Sequence, residues 1–211
     1  MDVPELTRSI RARLDEKHAA RERALPAARR SIRASANAIR AIHRADLETA
    51  QRLIAESRAA LDEGLRAVSD HPEIRYAGYL QDAEKEYAEA NVTAALVRGT
   101  DLPSLDDLGV EEAPYLNGVS EAIGEGRRRV LDQLRAGELE AAERLLTAME
   151  DLYGMLVTMD YPDALTMNLR RSTDVARSLL EKTRGDLSIA AVQRSLKDAL
   201  DRHTEELHGR G

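Results

Sequence analysis

Apolar residues recur every three or four positions along almost the whole chain, and no run of alternating apolar and polar residues competes with that period. A three-to-four spacing places apolar side chains on one face of a helix, and a chain built this way buries them by packing helix on helix. Composition agrees. The aromatic share is 3%, six Tyr with no Phe or Trp, which speaks against sandwiches and barrels that lean on aromatic and β-branched residues. With 43% hydrophobic residues the chain can still build a core. The expectation is an all-α fold, one domain spanning 1–211. Residues 1–27 form a basic N-terminal helical extension, and 201–211 a frayed tail.

Breakers and caps divide the period into about seven helices. The first runs from about Glu5 to Arg44 and is interrupted or kinked at Pro26, because an interior proline removes a helix hydrogen bond. The second opens at Asp46 and ends before Ser69-Asp70-His71-Pro72. The third runs from about Glu73 to Val97 and stops at Arg98-Gly99. A loop with Pro103 follows. The fourth spans about Glu111 to Ala136 and the fifth about Glu138 to Thr158. The sixth spans about Ala164 to Thr183, closed by Arg184-Gly185, and a short seventh covers Ser188 to Leu200.

Several function classes fall away early. The absence of Cys excludes disulfides, thiolate metal sites and cysteine nucleophiles. No apolar stretch is long enough to span a membrane. The first residues lack a basic stretch followed by an apolar run, so a cytoplasmic location is the expectation. There is no Gly-rich phosphate loop and no Gly-x-Ser-x-Gly elbow. Of the five His, only His208 joins a Glu-x-x-His pair, with Glu205 in the polar tail, whereas a di-iron bundle needs two such motifs.

Charge is segregated. The chain carries a net charge of −7, yet residues 1–45 hold eleven Lys or Arg against five Asp or Glu. Arg29, Arg33, Arg40 and Arg44 fall within a sector about 60° wide at 100° per residue. Such a row is either a solvated face or a set of forks for phosphate oxygens. Carboxylates pair on two later helices. In the third, Glu86 and Glu89 are three apart; in the fourth, Glu121 and Glu125 are four apart. Two such pairs can hold Mg²⁺, a hard cation that takes oxygen ligands. They can equally be surface decoration, with Arg129 four residues beyond Glu125 as its ion-pair partner. Glu89 is expected on the far side of its helix from the apolar stripe. Glu84, about 160° round the helix from Glu86, is expected to stand outside any shared site.

Lys85-Glu86-Tyr87-Ala88-Glu89-Ala90 resembles the Glu-Tyr-x-Glu-Ala signature of trax, in the translin family. Tyr115-Leu116-Asn117-Gly118-Val119 resembles that family's Tyr-Leu-x-Gly-Val at the start of a long helix. Leu152-Tyr153-Gly154, with Leu165, Leu169 and Arg170-Arg171, resembles the region that closes its helical core. The likeness runs from about residue 28 to 195, closer to trax than to translin. It implies seven helices, binding of single-stranded RNA and single-stranded DNA, and a hollow homo-octamer. It also implies a Mg²⁺-dependent endoribonuclease acting inside that shell, with Glu86, Glu89, Glu121 and Glu125 as metal ligands and catalytic groups. Trax has Asp at the position of Glu121, one methylene shorter. The other reading the resemblance allows is a non-catalytic single-strand binder of translin type.

Overall fold

Asp2 opens the first helix by accepting the Glu5 amide at 3.2 Å, with a proline in the first turn, and α1 then runs unbroken from Val3 to His43. This computed structural model describes residues 2–208. Pro26 sits inside α1 and does not interrupt it. Its ring is exposed while Ala24, Ala27 and Ala28 beside it are buried, so the proline sits on the outer face of the helix, where a missing hydrogen bond is least costly. The buried face of α1 is made of small residues, among them Ala20, Ala24, Ser31, Ser35 and Ala38. That narrow face lets α2 (Leu47–Ala67) lie close along it. Ser57 of α2 joins Ser31 and Ser35 through hydroxyl contacts of 2.8 Å each, which satisfies three buried polar groups at once.

The expected third helix is two elements. A single turn, α3 (Pro72–Arg75), is followed by a break at Gly78, φ 98°, before α4 (Tyr79–Arg98). Gly99 closes α4 in the left-handed region, as the Arg98-Gly99 pair suggests. A further turn, α5 (Leu105–Leu108), leads to α6 (Glu112–Ala136), closed by left-handed Gly137, and then to α7 (Leu139–Val157). Another turn, α8 (Asp163–Thr166), ends at Met167 and Asn168, both with positive φ. The last helix, α9, runs from Leu169 to His208.

Gly185 therefore does not end a helix: the expected sixth helix loses its first residues to α8 and runs on from Leu169 through Gly185 into the expected seventh. Ion pairs and packing on either side of the glycine explain why. Arg184 reaches Glu150 of α7 at 2.6 Å, and Asp186 reaches Arg127 of α6 at 2.8 Å. These pairs, with buried Leu180 and Thr183 and with Leu187 packed against the core, offset the penalty of about 1 kcal/mol for a mid-helix glycine. Residues 201–208 are helical where the sequence suggests fraying, and 209–211 lie outside the described residues.

Among the described residues there are nine helices and no strand. The pair α4 and α6 forms the centre, with α1 and α2 on one side and α7 and α9 on the other. Leu80, Val92, Val119, Ile123, Met149, Leu156 and Leu180 fill the core around it. The ends of the two longest helices project beyond this core. Val3, Leu6, Ile10 and Leu14 form an exposed stripe on α1, and Ile189, Val192, Leu196 and Leu200 another on α9. No helix among the described residues is long and apolar enough to cross a membrane.

Candidate functional site

Gly118 sets the distance between the two central helices. A Cβ at this position would lie 2.7 Å from the Lys85 carbonyl oxygen, 2.9 Å from Ala88 Cβ and 2.9 Å from the Glu89 amide nitrogen. Only glycine lets α6 rest directly on the backbone of α4. Glu121 follows one turn later on α6, and the contact brings it against the carboxylates of α4.

Glu86, Glu89 and Glu121 each offer a carboxylate oxygen, and these oxygens all lie within 4.8 Å of one another. Three of the four acidic positions singled out in the sequence thus converge across the α4–α6 contact. The fourth is engaged elsewhere. Glu125 Oε2 accepts a hydrogen bond from His43 Nε2 at 2.5 Å, and Arg129 is not its partner. The hydrogen bond from His43 holds the Glu125 carboxyl below its usual range, against the opposing effect of burial. Motif and spacing do not pick out His43. Its one signal is position, four residues beyond buried Ile39 on the inner face of α1, and its side chain is only 3% exposed.

Glu89 departs most from expectation. It is 7% exposed, buried on the α6 side of its helix rather than facing solvent. Burial, followed by the charges of Glu121, Glu86 and Glu125, raises its carboxyl to about 8. Glu86 is raised as well, first by burial, with Lys85 opposing. Lys85 Nζ lies 2.7 Å from Glu121 and 3.5 Å from Glu86. Burial disfavours its charge, but the hydrogen bond to Glu121 and the surrounding carboxylates win, and its pKa is raised. Lys85 is a second residue whose importance spacing alone does not reveal. Glu89 has no hydrogen-bond or ion-pair partner among the described residues.

This donor set suits a hard divalent cation. Oxygen ligands of Mg²⁺ stand about 2.1 Å from the ion and so roughly 3–4 Å from one another, comparable to the spread of these carboxylates. Lys85 relieves part of their charge, but Glu89 stays raised by burial first and by its neighbouring carboxylates second, and a bound cation would offset the remainder.

Glu84 stands outside the cluster, as its place on the helix predicts, but it is buried, 1% exposed. Its Oε1 accepts from Arg75 at 3.0 Å, and Arg75 also reaches Glu111 at 2.8 Å. Burial raises the Glu84 carboxyl despite this pairing. It belongs to a separate structural ion network joining α3, α4 and the start of α6. Arg29, Arg33, Arg40 and Arg44 are all on α1 or its cap, and all four are exposed. Arg33 lines a groove between α1 and α2 together with Glu56 and Glu63, and this groove shares no lining residue with the clefts beside the carboxylate cluster.

No family model matches the chain. An uncharacterised protein of Methanocaldococcus jannaschii is 32% identical over 190 residues, 90% of this chain and 84% of that protein. Among solved structures, AfC3PO in complex with duplex RNA superposes with a TM-score of 0.83 at 35% identity, covering 89% of this chain and 97% of that one. AfC3PO in a second crystal structure gives 0.83 at 34% identity, with 89% and 98% covered. The apo form of NeC3PO gives 0.78 at 20% identity, with 90% and 99% covered, a likeness of fold.

Proposed function

The chain belongs to the translin family, which includes the C3PO proteins it resembles, and from that premise we propose that it binds RNA and cleaves it with Mg²⁺ at the Glu86, Glu89 and Glu121 cluster. The observation that carries this reading is the convergence of three carboxylates across a helix contact that only glycine permits. AfC3PO has been crystallised with duplex RNA, which supports RNA as the ligand class here. Single-stranded RNA and single-stranded DNA are further ligands to test.

Glu86, Glu89 and Glu121 would hold the cation. Bound there, Mg²⁺ supplies a Lewis acid that makes a water acidic and neutralises charge on the phosphate. The chain's own contribution is orientation. Glu86 and Glu89 are fixed three residues apart on α4, and Glu121 is held against them through the Gly118 contact. His43 keeps Glu125 fixed behind them. Glu125 then adds negative charge close to the cluster without entering it. Arg29, Arg33, Arg40 and Arg44 supply phosphate contacts away from the cut site.

Assembly belongs to the same proposal. Apolar stripes on the projecting ends of α1 and α9 have no cover within the subunit, and association of copies into a homo-octamer would bury them.

A binding-only reading has one observation in its favour: Lys85 already neutralises part of the cluster. Incubation with labelled single-stranded and duplex RNA separates the two. Cleavage with Mg²⁺, stopped by EDTA and reduced about 100-fold or more in Glu121→Gln, is the expected result. Binding with no Mg²⁺-dependent product would establish the binding-only reading. Light scattering of the same sample gives the subunit count, and a monomer would rule out the assembly.

A further inference from the structure

Two cations line separate clefts beside the carboxylate cluster. Lys85 lines a cleft of about 390 Å³ with Asp82 and Asn117. Arg171, in the first turn of α9, lines a second cleft of about 390 Å³ with Glu89 and Val175. Glu121 and Ser172 line both, so the clefts are neighbours that meet at Glu121. Arg171 is exposed and makes no side-chain hydrogen bond or ion pair among the described residues, although its cleft is walled by two carboxylates.

We propose that Lys85 and Arg171 form a phosphate clamp that holds an RNA strand across the carboxylate cluster, one phosphate on each side of Glu121. This rests on the nuclease reading and specifies how that site takes its substrate. The physical need is plain. The chain is acidic overall and the site itself is three carboxylates, so a polyanionic strand is repelled from the place where it must react. Cations beside the cluster offset that repulsion where it is greatest. Arg171 presents a planar fork and is uncommitted in the resting protein. Lys85 is committed: its ammonium rests on Glu121 and Glu86. Once those carboxylates hold a divalent cation, the ammonium loses its partners and is repelled by the ion. It then becomes available to a phosphate in its own cleft. The clamp is therefore half-formed without metal and complete with it.

The test measures the salt dependence of RNA binding by the full-length protein, using a labelled, phosphorothioate-linked single strand that resists cleavage. Parent, Lys85→Met and Arg171→Met are compared in EDTA and in Mg²⁺. Losing one phosphate contact flattens the log–log salt slope by about 0.7 for a single strand and weakens binding by about tenfold. Arg171→Met should show this in both conditions, and Lys85→Met only with Mg²⁺. Titration calorimetry should find Mg²⁺ bound more tightly by Lys85→Met than by the parent, because an internal competitor is gone. Arg171→Met should bind Mg²⁺ like the parent. Lys85→Arg and Arg171→Lys should restore the slopes, which a folding defect in the Met variants would not predict. Unchanged slopes in both Met variants, in a parent that binds and cleaves RNA, would overturn the clamp alone. A parent that binds RNA without Mg²⁺-dependent cleavage would overturn the nuclease reading, and the slopes would still decide the clamp.

Discussion

Replacing Glu89 by Gln should make the metal-free protein more stable at alkaline pH. Glu89 is 7% exposed and its carboxyl is raised from 4.5 to about 8, with burial as the largest cause and three neighbouring carboxylates adding to it. A raised acid binds its proton more tightly in the folded than in the unfolded chain. Between about 4.5 and 8 the folded state therefore holds more protons, and its stability falls as pH rises through that window. A difference of one pH unit in proton affinity corresponds to about 1.4 kcal/mol, so the rise from 4.5 to about 8 sets an upper bound of about 5 kcal/mol above pH 8. The neighbouring carboxylates titrate together with Glu89 and share the strain, so roughly half of that, about 2–3 kcal/mol, is the expected gain. Gln keeps the shape of protonated Glu and cannot ionise. Urea unfolding in EDTA, at fixed protein concentration, should show parent and Glu89→Gln alike near pH 4.5. The variant should become progressively more stable toward pH 8.5. Excess Mg²⁺ should reverse the order, because ligand binding stabilises only the chain that binds it. A variant no more stable than the parent at pH 8.5 in EDTA would refute the reasoning, since it would mean the Glu89 charge is already compensated.

Glu84→Ala tests the separate ion network, where a residue 1% exposed pairs with Arg75. Removing one member of a buried pair should cost about 3 kcal/mol, read as a lower urea midpoint, and an unaltered midpoint would mean the network contributes nothing. Gly118→Ala forces a Cβ to within 2.7 Å of the Lys85 carbonyl, so α4 and α6 must separate. It should cost about 1–3 kcal/mol and also weaken Mg²⁺ binding in calorimetry; retained Mg²⁺ affinity would show that the helix contact does not set the cluster.

Much of the fold could be read from local chemistry. The helix period, Asp46 as a cap and Gly99 and Gly137 as stops are effects within one turn, and they appear where the sequence places them. The failures have tertiary causes. Gly185 looks like a stop because its nearest neighbours are polar, but Arg184 and Asp186 are anchored to other helices. Pro26 looks like a break because it removes a donor, yet the buried alanines around it carry α1 unbroken through the seam.

The candidate site divides along the same line. Periodicity and motif were enough to single out Glu86, Glu89 and Glu121, because carboxylates three or four apart must share a helix face. Which face is buried, and against what, is not a property of one helix. A lone helix could not show that Glu89 turns inward and Glu84 is locked to Arg75, nor that Glu125 is engaged by His43, 82 positions away. Spacing along the chain sets which side chains point together, and only the close approach of α4 and α6 at Gly118 decides which of them meet across the interface and what charge each must bear.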